Sequence, residues 1–393
     1  MQRGLLPTTA DVAAAAKPAM IQWSRTVFTA FVSVVLTLTF VRLQTPALSS
    51  PLGSLHSQDV NEGHEGQHLV LSDSSADFPH LLRALYSPLI PAVTTEKFTT
   101  YNGKTFALSK NPNWTEPLGK DLCIVDIDTR PLDGADQLMG DQPLNWDSFG
   151  KLGAGMMNHY LYAMIHGYTY KFIRTPPFKD RAPYWTKIPA LADTLHTHCK
   201  TVISIDADAV FTHLHLPAEW LFNRWQITPE TSLAMALDPD KAFNKDKKGR
   251  RWTNAGFIVA NDLPRTHEML RAWANCPDNT EKYPGCEKLK DPWPAEQGAF
   301  AEYTRYEFAE PTDVREIPCS EANGYPDGGQ GCDGIFLRHF WDKKDSLLKP
   351  EVARGVAQDI VSQALRGLRS SEDVVEVRKE NTFREFKAEA TKS

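Results

Sequence analysis

The chain has 393 residues, 41% hydrophobic and 10% aromatic, enough apolar material for one large domain or two modest ones. Its 43 basic and 49 acidic residues leave a formal charge of −6, so bulk charge does not hold it on nucleic acid or on lipid headgroups. A mean hydropathy of −0.39 excludes a polytopic membrane protein and leaves room for one spanning segment.

Such a segment stands near the start. Residues 26–41 read TVFTAFVSVVLTLTFV, free of charge, Pro and Gly. The run is short against the roughly 17–25 residues of a usual span, which suits a thin membrane such as that of the Golgi. Arg3, Lys17 and Arg25 precede it, so residues 1–25 read as a cytoplasmic tail and 26–43 as a signal-anchor. The alternative is a cleaved signal peptide with Thr45-Pro46-Ala47 at the cleavage site. Residues 44–90, rich in Ser, Pro, Gly, His and acidic groups, read as a stem.

The body, 91–349, alternates strand-like and helical runs. LCIVDI (122–127) suits a buried strand; 158–166 reads as a helix ended by Gly167, followed by the strand TYKFIR. A helix over 188–198 precedes the β-branched TVISI (201–205), which runs into Asp206-Ala207-Asp208. SLAMAL (232–237) and AGFIVA (255–260) are further strands and 266–276 is a helix. The alternation predicts an α/β fold with both faces of the sheet covered. Val352, Val356, Ile360 and Leu365 predict an amphipathic helix over 350–368, and 369–393 reads as a charged tail.

All six cysteines lie beyond the hydrophobic segment, as an oxidising lumen permits. Short separations favour Cys276 with Cys286 and Cys319 with Cys332, within 15 possible connectivities. One glycosylation sequon stands at Asn113-Trp114-Thr115.

Asp-x-Asp occurs at Asp126/Asp128, Asp206/Asp208 and Asp238/Asp240. Asp206 and Asp208 stand at a strand end, where α/β sheets place ligands, and two carboxylates there can hold a hard divalent cation against a diphosphate. Asp126 and Asp128 either bind a nucleotide or cap the next turn, whereas Asp238-Pro239-Asp240 reads as turn chemistry. His339, after Ile335-Phe336-Leu337, either completes a metal site or packs in the core. Two literal matches read as chance. Gly329 to Gly334 matches GxGxxG without the flanking strand and helix, and His64 to His68 matches HExxH in a polar stretch with no helix face for zinc. A zinc hydrolase built on His64 and His68 is therefore the weakest reading.

NHYLYAMIHGY (158–168), YWTKIP (184–189), ISIDADAVF (203–211), NAGFIVAND (254–262), AEQGAF (295–300) and FLRHF (336–340) occur in this order. Over residues 120–345 the chain thereby resembles the galactosyl/mannosyl transferases of the fungal Golgi and their plant xylosyltransferase relatives, glycosyltransferase family 34. The resemblance implies a GT-A fold with a mainly parallel central sheet, type II Golgi topology, a Mn²⁺-dependent site and retention of anomeric configuration. It implies Asp206, Asp208 and His339 as metal ligands, and Asp126, Asp128, Lys187, Asp206, Asn254 and Gly256 around the donor. Glu296 and Gln297 would sit beside the reacting carbon. The expected partners are a nucleotide sugar (UDP-hexose or GDP-mannose), a glycan acceptor and the membrane, with no nucleic acid. A catalytically silent lumenal binding protein with the same fold is the alternative.

Overall fold

The computed structural model of the chain describes residues 78–371 other than Pro292 and Gln330. The cytoplasmic tail, the anchor at 26–43, the stem up to 77 with His64 and His68, and the charged tail from 372 lie outside the described residues. Among the described residues no helix is long and apolar enough to cross a membrane.

Helix α1 (Phe78–Tyr86) opens the described chain, and its Leu82 and Tyr86, one turn apart, are buried in the main core. Composition places residues 78–90 in the stem; the structure instead packs this helix on the body, because an i, i+4 apolar pair suffices to dock a short helix. A hairpin of β1 (Lys97–Thr99) and β2 (Thr105–Ala107) follows, with Phe98 and Phe106 turned inward.

The central sheet begins with β3 (Leu122–Asp128), followed by α2 (Lys151–His166), β4 (Thr169–Arg174), α3 (Lys187–Thr197) and β5 (Thr201–Ile205). After the short β6 (Ala209–Phe211) and α4 (Ala218–Trp225) come β7 (Leu233–Leu237), β8 (Thr253–Asn261) and α5 (Pro264–Asn275). The chain then forms α6 (Ala295–Ala299), β9 (Val314–Ile317), the short helix α7 (Cys319–Ala322), β10 (Asn323–Gly324), β11 (Leu337–His339) and α8 (Lys344–Ser370). The sheet order is β4-β3-β5-β8-β7-β9. It is mixed: β8 pairs antiparallel with both neighbours, and the other neighbouring pairs are parallel. Helix α8 starts earlier than the apolar spacing alone predicts.

Alternation along the strands sorts side chains to two cores. Ile124, Ile203 and Val259 share one core with Tyr162 and Ala163 of α2. Val125, Val202 and Ile258 share the other with Ile188 and Leu191 of α3 and Trp273 of α5. A sheet buried on both faces needs the near-continuous apolar strands that the sequence shows. All six cysteines pair, as Cys123–Cys199, Cys276–Cys286 and Cys319–Cys332. The two short-range pairs are those that spacing favours, and Cys123–Cys199 ties β3 to the segment after α3.

Two departures from regularity position the site. Between Met235 and Ala236 the β7–β8 register jumps, and Met235 faces Ile258 while Ala236 faces Asn254. The extra residues Ala255 to Phe257 bulge from β8, a device that re-aims backbone and side chains. The second is a three-stranded sheet, β10-β11-β6, that sets His339 opposite Ala209.

Candidate active site

Asp206 to Ala209 form a tight turn, with Ala209 N–H donating to Asp206 O at 2.8 Å. Asp206 N–H donates to Gly256 O in the β8 bulge at 2.9 Å, and Phe340 N–H donates to Asp208 O at 2.8 Å. The turn is thus clamped between β8 and β11. Helix α2 rests on it so closely that a Cβ at Gly155 would lie 1.9 Å from Ala207 O.

Asp206, Asp208 and His339 offer ligand atoms that all lie within 4.8 Å of one another. His339 Nε2 is 3.2 Å from Asp208 Oδ1, and its Nδ1–H donates to Asn323 Oδ1 at 2.8 Å. That second bond fixes the ring and leaves Nε2 turned to the carboxylates, as a histidine ligand requires. Two carboxylates and an imidazole suit a hard or borderline divalent ion such as Mn²⁺. The residues present therefore fit the expected cation. Exposure grades across the set: the Asp206 side chain is 36% exposed, against 12% for Asp208 and 6% for His339. An ion or a diphosphate would arrive over Asp206.

Cationic side chains face these carboxylates. Lys187, buried at the start of α3, places Nζ 2.7 Å from Asp206 Oδ1, 2.8 Å from Ala255 O and 3.7 Å from Glu296 Oε1. Burial works against its charge, but Asp206 and Glu296 outweigh it and raise its pKa. Lys344, at the start of α8, reaches Asp208 Oδ2 at 2.6 Å. Burial pushes the Asp208 carboxyl up, yet His339 and Lys344 hold it well below the usual carboxylate range. Glu296 lacks such support. Burial, aided by Asp206 and opposed by Lys187, raises it to about 7.

Gly256 and Asn254 serve the frame. A Cβ on Gly256 would lie 2.2 Å from His339 Cε1, so only glycine admits the imidazole there. Asn254 accepts from Gly256 N–H at 2.8 Å and donates to Asp238 Oδ1 at 2.9 Å. Gln297 accepts from Ala255 N–H at 3.1 Å and donates through Nε2 to Asp238 Oδ2 at 2.7 Å. Asp238 also accepts from Asn323 Nδ2 at 3.0 Å, so one buried carboxylate orients Asn254, Gln297 and, through Asn323, His339. Burial nevertheless raises its pKa. Turn chemistry is therefore the wrong reading of Asp238. Asp238, Asn323 and Lys344 escape sequence reasoning; the one signal for Asp238 was its place at the end of a strand.

Asp126 and Asp128 lie outside this cluster. Asp126 is 1% exposed and accepts from His159 Nδ1–H at 2.9 Å and Tyr170 OH at 2.7 Å. His159 Nε2 lies 2.7 Å from Ala209 O. Both ring nitrogens face acceptors, so the ring is an imidazolium, its pKa raised by Asp126 against burial. With no surface for a ligand, Asp126 does not touch a donor as expected; through His159 it braces the strand that follows the Asp206–Ala209 turn. Asp128 takes the capping alternative: it accepts from Arg130 N–H at 2.8 Å and pairs with that guanidinium at 2.5 Å. Arg130 is half exposed, and its bond to Asp128 raises its pKa against burial.

No known family profile and no characterised protein matches the sequence. The chain is similar to a number of solved structures, two of which follow. One is a glycosyltransferase involved in the glycosylation of the major capsid of PBCV-1, at 11% identity and a TM-score of 0.41, covering 59% of this chain and 98% of that one. The other is mouse xyloside xylosyltransferase 1 in its apo form, at 12% identity and a TM-score of 0.32, covering 56% and 97%.

Proposed function

We propose that this chain is a metal-dependent glycosyltransferase that moves a hexose from a nucleotide-sugar donor to a glycan acceptor with retention of configuration. The observation that carries the reading is the convergence of Asp206, Asp208 and His339 beside the buried Lys187. Asp206, Asp208 and His339 would hold a divalent cation, which would supply positive charge to offset that of a departing diphosphate. Lys187 adds a fixed positive charge, preorganised by Ala255 O, and Lys344 stands at Asp208 where a further phosphate oxygen can be met. Glu296, 3.7 Å from Lys187 Nζ, and Gln297, positioned by Asp238, are the groups available to a retaining reaction, by double displacement through the carboxylate or by same-face departure and return.

The family 34 resemblance, the apolar segment at 26–41 and the pairing of every cysteine support a type II protein of the Golgi membrane with its body in the lumen. Asn113 is exposed, as a glycosylated lumenal sequon must be.

The test is Mn²⁺-dependent hydrolysis and transfer by the full chain across UDP-galactose, GDP-mannose and UDP-xylose. The Asp206→Ala/Asp208→Ala double variant should lose activity at least 10³-fold, on the order of a removed electrostatic stabiliser, while retaining its circular dichroism. Full activity in that variant, or none in the wild type with any donor, overturns the proposal.

A further inference from the structure

Behind the metal strand lies a second polar cleft that the proposed reaction does not use. Strand alternation turns Arg338 away from the face that carries its neighbour His339. Arg338 enters a cleft of about 140 Å³ between the β1–β2 turn, the segment after β6 and one face of α8. Glu351, Arg354 and Gln358 line the α8 wall, while Tyr101 and Thr212 stand opposite. The volume is several times what one water needs.

The lining carries two guanidiniums and one carboxylate. Arg338 and Arg354 both pair with one carboxylate, that of Glu351. No other acid lines the cleft; the nearby Asp359 accepts from Tyr101 OH and His215 Nδ1 through Oδ1 while its Oδ2 has no hydrogen-bond partner, and Asp333 also acts on Arg338 from outside the lining. Arg338 Nε–H is buried and has no hydrogen-bond partner, although its side chain is only 15% exposed. A buried guanidinium N–H without an acceptor is costly and calls for a missing partner. Burial, and after it the Arg338 charge, lowers the pKa of Arg354. His213, on the same wall as Thr212, is pushed down to about 3 by burial, His215 and the two arginines. It stays neutral and adds no further positive charge.

We infer that the cleft between α8 and β11 binds a tetrahedral oxyanion, phosphate or sulfate, through Arg338 and Arg354, with the orphan Nε–H of Arg338 as its buried donor. Within the lining two guanidiniums share one carboxylate, and their planar N–H forks suit the edges of such an anion. The same chemistry can come from a free ion or from an ester on a sugar. Because Arg338 shares β11 with His339, an occupant braces the strand that carries a metal ligand.

The experiment is thermal unfolding of the full chain in sodium sulfate or phosphate against chloride at equal ionic strength. The wild type should show a saturable rise in Tm of about 2–4 °C at tenfold excess over half-saturation. Arg354→Gln, on a side chain 59% exposed, should fold normally, keep its Mn²⁺ affinity and need at least tenfold more anion. N-acetylglucosamine 6-sulfate and glucose 6-phosphate separate the sources: tighter saturation by an ester than by the free ion identifies a sugar-borne group, and equal saturation identifies the ion itself. A non-saturating rise shared by the wild type and Arg354→Gln is general salting-out and overturns the inference. So does a saturable rise that Arg354→Gln retains in full but Asp206→Ala/Asp208→Ala loses, which would place the anion in the donor site.

Discussion

Replacing Gly256 by Ala puts a methyl group where the ring of His339 lies. The new Cβ would stand 2.2 Å from Cε1, 2.8 Å from Nδ1 and 2.9 Å from Asn254 Oδ1. Ordinary contact begins at 3.4 Å, so the ring must retreat by the difference, 3.4 − 2.2 = 1.2 Å. It has little room: Nδ1–H is bonded to Asn323, which is itself held by Asp238 and Leu237 O. Overpacking of this kind costs about 1–3 kcal/mol. The loss at the metal site is larger, because ligand distances tolerate only about 0.2 Å. We expect Mn²⁺ affinity to fall at least 10–100-fold, as for disrupted supporting shells, with Tm lower by about 2–8 °C. Isothermal titration with Mn²⁺ on folded protein reads the first and differential scanning calorimetry the second. Wild-type Mn²⁺ affinity in Gly256→Ala would refute the placement of His339 as a ligand.

The same substitution has the opposite sign elsewhere. Gly367→Ala, in the exposed end of α8 with nothing within 4 Å of the new methyl, should stabilise by about 0.5–1 kcal/mol and leave Mn²⁺ binding unchanged. A fall in Tm would contradict that account. Asp238→Ala strands three buried amides, those of Asn254, Gln297 and Asn323, and should cost about 3–5 kcal/mol in urea denaturation with at least tenfold weaker Mn²⁺ binding; a loss under 1 kcal/mol would show that the three side chains do not depend on it. Glu296 predicts a pH dependence in EDTA. Its carboxyl holds a proton more tightly when folded, about 7 against 4.5, so stability is lost as pH rises from about 4.5 to about 7 and is level beyond. The loss is of order 3 kcal/mol. Glu296→Gln removes it, so urea midpoints from pH 5 to 8 should fall less steeply in the variant; identical slopes would exclude Glu296 as the titrating group.

The chain's own order of residues determines the architecture to a large extent. Unbroken apolar strands such as LCIVDI and TVISI can only be buried on both faces, and the helical runs between them supply the cover. The Asp206-Ala207-Asp208 turn is legible because it follows such a strand, and His339 because it ends another apolar run. Short cysteine separations point to two of the three disulfides, since short loops bring their ends together readily. Helix α1 is not legible, because two apolar side chains in a polar stretch reveal their burial only once a groove exists to receive them.

Tertiary structure alone decides which polar groups meet. Asp126 and Asp206 have the same local pattern, a strand end and a second Asp two residues on. One is buried against His159 and Tyr170, while the other opens to solvent beside Lys187. Asp238 looks like a turn residue and becomes the carboxylate that orients Gln297, Asn254 and Asn323. The difference comes from the β8 bulge, whose Gly256 O receives Asp206 N–H, and from the small β6–β11 sheet, which sets His339 opposite Ala209. A local pattern states what a side chain can bond to. Only the packing of distant strands states which partner reaches it and whether water remains.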